Sequence, residues 1–349
     1  MSITPKQAAR AVAKAGGNKS AAARALGVTR NVLHGALALT PRATKAATVK
    51  DDPRVEKLQQ MLIAERQRKV AKLPKPRVGK APKSIIRVCI PDSHGAHVDW
   101  PAADAMVRDI MRLQPDEVVW LGDHLDCGGT FSAHQRSYTN EMTESYDEDV
   151  TQGNILLDKV MQAAPNAEHH YLFGNHEEHV QRWAARNFEC FRDARLAVER
   201  FGPAAMLRLK ERGFRWYVSS EQYGEVTIPG TIRLGKCYYT HGIGAGKHAT
   251  HTHVERFGAS VVHGHTHRAQ ASIQRTVKSM MHGAWCPGTL AKLQPLYRHT
   301  TPTTWSHGYI VQFVNVGTGT FATWQIPIFG DKTLLLETID AIASRRVVA

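Results

Sequence analysis

Three times between residues 85 and 177 a short apolar run ends abruptly in a cluster of Asp, His or Asn. Residues 85–90 are followed by Pro91-Asp92-Ser93-His94, residues 117–121 by Gly122-Asp123-His124-Leu125-Asp126, and residues 169–173 by Gly174-Asn175-His176-Glu177. Apolar runs this short read as buried strands. Helix-like stretches at 102–113 and 149–162 separate them, which is the alternation of an α/β unit. Ligands of open α/β sheets bind at the carboxyl ends of the strands, so the polar clusters are expected to converge. From about Thr231 the pattern turns to strands, at 232–240, 260–263, 269–274, 280–284, 309–314 and 321–326. A chain that begins α/β and ends β-rich fits two packed sheets with outer helices.

Two further clusters follow β segments: Thr240-His241-Gly242 and Gly264-His265-Thr266-His267. Asp92/His94 and His265/His267 are i, i+2 pairs, which point to one side of an extended chain. Each pair is therefore expected to aim two ligands at one place. The glycines before Asp123, Asn175 and His265 permit tight turns and close backbone approach. Mixed oxygen and imidazole donors without cysteine suit Mn²⁺, Fe or Zn²⁺.

The ordered set D-x-H, G-D-x-x-D, G-N-H-E, H and G-H-x-H resembles the calcineurin-like metallophosphoesterase superfamily over residues 85–268 and on toward the last strands. The resemblance implies a four-layer αββα fold, two packed β-sheets flanked by helices. It implies hydrolysis of phosphoester bonds through a hydroxide activated by two divalent ions, Mn²⁺ first, with Fe or Zn²⁺ as alternatives. One ion would take Asp92, His94, Asp123 and His267. The other would take Asp123, Asn175, His241 and His265, with Asp123 bridging. His176 would be the catalytic, non-ligand histidine near the leaving group, and Asp126 would hold His176 or a ligand imidazole by a hydrogen bond. Glu177 is expected to cap the next helix or support the site. The protein Ser/Thr phosphatases of the superfamily carry arginines where this chain has Cys127 and Phe173, and G-H-x-H is more typical of the nuclease and phosphodiesterase branches. Substrate contacts are expected from His134 and Arg136 in the loop 131–136, and from Lys247 in 244–248. The leading reading is a DNA nuclease or phosphodiesterase. The alternative is a phosphomonoesterase or cyclic-nucleotide phosphodiesterase whose N-terminal module only docks it to DNA or protein.

Charge separates that N-terminal module from the rest. Residues 1–90 carry 20 Lys and Arg against 4 Asp and Glu, while the remainder carries 25 against 27, within a net charge of +14. Such a block either contacts nucleic acid or stays solvated. Helices are expected from Pro5 and from about Ser20, with Gly27 as a left-handed turn and Thr29 capping a third helix. The run NKSAAARALGVTRNVLHGAL resembles the helix-turn-helix of Fis-type regulators. That resemblance implies Arg30, Asn31 and His34 in the major groove, with Lys19 and Arg24 near phosphates. The expected organisation is a helix-turn-helix over 1–40, a basic helix and Pro/Lys linker over 41–83, a metallophosphoesterase domain over 84–330, and a tail or helix over 331–349. Five scattered cysteines read as reduced thiols of a cytoplasmic protein. No run of about 18 apolar residues suggests a membrane partner. The fusion would suit a phage or mobile element acting in a host cytoplasm.

Overall fold

The computed structural model describes residues 4–16, 18–30, 32–33, 60, 64, 67–68, 70–72, 82–128, 131, 145–218, 221–223, 226–228, 230–275, 277, 281–295 and 301–345. The chain divides into two compact units, Met1–Glu56 and Lys57–Ala349. The expectations at Asn31, His34, His134 and Arg136 lie outside the described residues, as does most of the basic helix and linker expected over 41–83.

In the small unit, helix α1 (Pro5–Lys14) starts behind a capping box. Thr4 Oγ1 accepts the Gln7 amide at 3.3 Å, and the Gln7 side chain accepts the Thr4 amide at 2.9 Å. Helix α2 (Lys19–Ala25) is capped by Asn18, whose carbonyl oxygen accepts the Ser20 and Ala21 amides. Gly27 follows in the left-handed region (φ 65°). Thr29 Oγ1 then accepts the Val32 amide at 3.4 Å and opens a helical turn at Arg30. Ala8, Ala22, Ala23 and Leu33 form the buried centre. Three of these four are alanines, so the apolar area removed from water, and the stabilisation it brings, is small.

The large unit is built on two sheets. The first has six strands in the order β13-β12-β1-β2-β3-β4. Its strands are β1 (Ser84–Ile90), β2 (Glu117–Trp120), β3 (Glu168–Leu172), β4 (Arg215–Tyr217), β12 (Gly308–Asn315) and β13 (Phe321–Pro327). β1 to β4 pair in parallel and β12 and β13 add on antiparallel. Helices α3 (Trp100–Leu113) and α4 (Tyr146–Ala163) supply the parallel crossovers. The second sheet has the order β10-β11-β9-β8-β7. Its strands are β7 (Thr231–Leu234), β8 (Cys237–Thr240), β9 (Ser260–His263), β10 (Ala269–Arg275) and β11 (Met281–Pro287). A separate hairpin pairs β5 (Glu221–Tyr223) with β6 (Val226–Ile228).

The period-2 alternation of strands assigns each residue to a layer. On β1, Val88 and Ile90 join the core beneath the helices, while Cys89 joins the core between the sheets. Val118 and Trp120 against Val119 and Leu121 repeat the division on β2, and Tyr309 and Val311 against Ile310 repeat it on β12. Across the inter-sheet core, Ile232, Cys237, Tyr239 and Val262 face them from the second sheet. Helix α9 (Ala249–Phe257) covers the outer face of that sheet through Val254, packed with Val261 and Ala284. The architecture is four layers, helix, sheet, sheet, helix, as expected.

Local differences have local causes. The segment 232–240 is a hairpin rather than one strand, because Gly235 turns the chain at φ 66° between β7 and β8. β8 and β9 are parallel, so a crossover is obligatory, and α9 provides it inside a region read as strands. Helix α5 (Glu178–Asn187) is the helix expected after Glu177, whereas α6 (Phe191–Phe201), α7 (Pro203–Met206) and α8 (Leu209–Arg212) were not foreseen. The C-terminal segment forms α10 (Leu335–Arg345). Part of the expected basic connector packs on this unit: Asp158 of α4 accepts the Arg68 guanidinium at 2.8 Å and the Ala71 amide at 3.1 Å. No described helix is long and apolar enough to cross a membrane.

Candidate metal centre

Asp92 and His94 follow β1, Asp123 and Asp126 follow β2, Asn175 and His176 follow β3, His241 follows β8, and His265 and His267 follow β9. All five are strand ends within parallel arrays, so both sheets deliver their polar clusters at carboxyl ends. Two groups of ligand atoms result. Asp92, His94 and His267 form one, and Asp123, His241 and His265 form the other. In the first, His267 Nε2 lies 3.0 Å from Asp92 Oδ2 and 3.0 Å from His94 Nε2. In the second, His241 Nε2 lies 3.0 Å from His265 Nδ1, 3.1 Å from Asp123 Oδ2 and 3.0 Å from Asn175 Oδ1. Asn175 therefore belongs with the second group.

These spacings fit metal ions. Ring nitrogens face each other at 3.0 Å in both groups, where one proton at most can lie between them. A cation bound about 2.0–2.2 Å from each ligand resolves such a cluster. The outward ring nitrogens are committed so that the inward ones stay available. His241 Nδ1 donates to the Leu121 carbonyl at 3.0 Å, and His94 Nδ1 donates to Asp126 Oδ1 at 2.9 Å. That is the usual outer support of a metal-ligating imidazole. A third cluster, His94 with Asp126 and His176, is better read as hydrogen bonding, since His94 Nδ1 donates to Asp126 Oδ1 at 2.9 Å and His176 Nδ1 donates to the Asp126 carbonyl at 2.9 Å, with Asp126 Oδ1 3.1 Å away.

The backbone is strained to reach this arrangement. His94 (φ 51°), Asp123 (48°), Cys127 (48°), His265 (70°) and His267 (56°) all sit in the left-handed region, at a cost of roughly 1–3 kcal/mol each. Asp92 and His94 meet in one group as their spacing implies, but His265 and His267, both left-handed, part to different groups, against the extended-chain expectation. The close-approach expectation holds. A Cβ on Gly174 would lie 2.1 Å from Asp123 Oδ1, and one on Gly264 would lie 2.4 Å from Asp92 Oδ1.

Charge in the site is strongly coupled. Burial would raise Asp123, but His241 and His176 hold it well below the usual carboxylate range. Burial would lower His176, yet Asp123 and Asp126 outweigh it and keep the imidazole well above its usual value. The same competition leaves His241 at about 9, with Asp123 and Asp92 as the opposing charges. Burial and the neighbouring His241 push His265 down to about 4. Asp126 is driven well below its usual value by His176 and His94, against burial.

Two buried carboxylates hold the loops in place. Glu177 accepts the amides of Asp123, His124, Leu125 and Gly174 at 2.8–3.1 Å, together with the Tyr171 hydroxyl at 2.9 Å. It supports the site, as one of its two expected roles had it, and makes no side-chain cap to α5. Asp149, which the sequence did not single out, accepts the amides of Ala96, Asp126 and Cys127. Burial, with Asp123 and Asp126 respectively, pushes Glu177 and Asp149 up to about 7. Their shared signal is an acid at the start of a helix that follows a ligand loop.

Lys19, Arg24 and Arg30 are exposed in the small unit. Lys247 is exposed in the 243–248 loop, which Arg268 clamps by donating to the Ala245 and Gly246 carbonyls at 3.0 and 2.7 Å. Cys127 and Phe173, at the positions of the phosphatase arginines, are buried.

No protein-family model matches the sequence, and no curated protein matches it. Among solved structures, a phosphoesterase from E. coli, Yfce, is 15% identical, covering 69% of this chain and 98% of its own at a TM-score of 0.31. PhoD is 12% identical, covering 74% and 69%, at a TM-score of 0.39. A Thermus thermophilus protein, TT1561, is 8% identical, covering 69% and 98%, at a TM-score of 0.30. Scores this low add no weight, and the site stands on its own geometry: two sheets in a four-layer αββα fold whose strand ends carry ligand clusters able to hold metal ions.

Proposed function

We propose that the chain is a two-metal phosphodiesterase that cleaves DNA. The observation that carries this reading is the pair of ligand groups with His176 beside them. Asp92, His94, Asp123 and His267 would hold one ion, and Asp123, Asn175, His241 and His265 the other. When bound, the ions supply Lewis acidity and lower the pKa of a water molecule. The chain's own residues do the rest. His176, kept protonated by Asp123 and Asp126, supplies a proton from Nε2 to the departing alkoxide. Asp126 fixes that ring at Nδ1 with its carbonyl at 2.9 Å and its carboxylate 3.1 Å away, and fixes His94 with the same carboxylate oxygen. Glu177 and Asp149 hold the loops so that these groups stay in place.

A diester is favoured over a monoester because neither Cys127 nor Phe173 offers a cation. Burial pushes the Cys127 thiol well above its usual value, so it stays neutral. A monoester dianion needs charge-assisted donors at such positions. DNA is favoured because the basic charge is concentrated in the segment that carries α1, α2 and the capped turn at Arg30. The chemistry is tested with a substrate panel in Mn²⁺: mono- and diester nitrophenyl phosphates, single- and double-stranded DNA, and cyclic nucleotides. Diesters and DNA should turn over faster than monoesters. Turnover of monoesters or cyclic nucleotides alone would establish the docking alternative. The nucleic-acid contacts are tested in the full chain carrying Lys19→Ala, Arg24→Ala and Arg30→Ala together. DNA affinity should fall, with the salt slope reduced by roughly one unit per lost phosphate contact, while small-diester turnover is unchanged. An unchanged affinity and slope would make the basic block a solvated segment.

A further inference from the structure

The segment Thr301-Pro302-Thr303-Thr304-Trp305-Ser306-His307 places one tryptophan in a polar run, where burial of apolar area gives no reason for it. The fold fixes it beside the first ligand group. The Ser306 amide donates to the His267 carbonyl at 2.9 Å, Ser306 Oγ accepts the Ala269 amide at 2.7 Å, and the Ser306 carbonyl accepts the Thr289 amide at 2.9 Å. On the other side, Thr303 donates its hydroxyl to the Leu293 carbonyl and its amide to Gln294 Oε1 at 3.2 Å. Trp305 is thus held between two anchored neighbours rather than on a free loop. Its ring meets His267 edge to face, with centroids 4.2 Å apart and planes at 73°. The side chain is only half-buried, and its indole N–H has no acceptor among the described residues. A tryptophan that served only as core would be covered and would have its N–H paired. This one sets an edge-to-face contact against His267 and keeps part of its ring exposed.

We propose that Trp305 is the platform on which a base of the nucleic-acid substrate stacks while the adjoining diester lies at the Asp92, His94 and His267 group. The proposal rests on the phosphodiesterase reading and narrows it to substrates whose bases are unstacked from a partner strand at the cut. Base-on-aromatic stacking is strong and indifferent to sequence, so the platform selects single-stranded or splayed nucleotides without selecting a base.

The test uses the full chain loaded with Mn²⁺ and two diesters, the dinucleotide TpT and its abasic counterpart, which has the same sugars and phosphate without bases. With Trp305→Leu, KM for TpT should rise roughly tenfold, the loss expected for one stacked base. KM for the abasic diester, kcat on both, and the metal content by elemental analysis should stay as in the parent. Trp305→Phe should restore most of the TpT affinity. Equal losses on both diesters, or loss of metal, would overturn the proposal and leave Trp305 as a wall behind His267. If the parent hydrolyses neither diester, the phosphodiesterase reading fails, and stacking is judged by equilibrium dialysis of TpT against the ion-free chain. Weaker binding by Trp305→Leu then supports the platform, and equal binding sinks it.

Discussion

The two ligand groups use the same kinds of side chain but are supported differently. Behind Asp92, His94 and His267 stands a charge: His94 donates its outer N–H to the Asp126 carboxylate, and that same oxygen lies 3.1 Å from His176 Nδ1. Behind Asp123, His241 and His265 stands a neutral dipole, the Leu121 carbonyl that accepts from His241. The first group is wholly buried, whereas His265 in the second is only half-buried. A carboxylate behind an imidazole raises its basicity and fixes its ring. The first group is therefore tied to the proton donor through a shared carboxylate at its outer imidazole, whereas the second meets His176 only through Asp123 and is more open.

The largest expected effect erases the comparison. Asp123 donates a carboxylate to the second group, accepts the His176 amide at 2.8 Å, and with its carbonyl holds the Ser93 and His94 amides at 3.1 and 3.0 Å. Asp123→Ala should lower turnover roughly 10³-fold or more, since Lewis-acid activation is worth several kcal/mol. Elemental analysis should find less than two ions per chain. Two retained ions would remove Asp123 from the ligand set.

Next in size is the proton donor itself. His176→Ala should keep both ions and lose about 10²–10⁴-fold in kcat. Loss of an ion in that variant would move His176 among the ligands.

Asp126→Asn sharpens the contrast, because it weakens the support of one group only. Ion affinity at the first group should fall about 10–100-fold, with the second little changed. In a His176→Ala background the kcat penalty of Asp126→Asn should shrink, because one of its two dependants is gone. Equal weakening at both groups would show that the wiring is not selective.

How much of this was legible in the sequence depends on what fixes each feature. Strand ends were legible, because a buried parallel strand must be apolar and its end need not be, so 85–90, 117–121 and 169–173 stood out against their Asp, His and Asn. Layer order followed from the α/β start and the β-rich finish. The pairing of ligands was not legible from spacing. His265 and His267, both in left-handed backbone, part company, and side-chain periodicity cannot reveal that conformation. Asp149 was hidden, and Glu177 was left between two roles, for a different reason. An acid near a helix start is ordinarily a solvated first-turn residue, and only the fold shows these two wrapped in backbone amides. Trp305 lay 38 positions from the ligand it touches, in a segment without a pattern.

The smallest effect per step is the pH dependence of loading, which is expected at the second group and not at His94 of the first. Burial would lower His241, but Asp123 and Asp92 hold it at about 9, so in the ion-free protein it carries a proton at neutral pH. A metal ligand must be a neutral imidazole, so loading the second group expels that proton. Affinity there should rise about tenfold per pH unit from neutrality to about 9 and then level off, because one proton is displaced. His94 is the opposite case. Burial lowers it, and Asp126 does not fully compensate, so it is already neutral and releases nothing. The stability of the ion-free chain runs the other way. His241 is raised above its unfolded value of 6.5, so its contribution is fully present below 6.5 and lost as pH rises through about 9. Alkaline conditions thus weaken the empty second group while strengthening its hold on an ion. Titration calorimetry of Mn²⁺ in two buffers of different ionisation enthalpy counts the protons. Release of about one proton, abolished by His241→Ala together with one ion, is the expected result. Release of none would mean that His241 is neutral before the ion arrives, and the charge-backed and dipole-backed groups would then load alike.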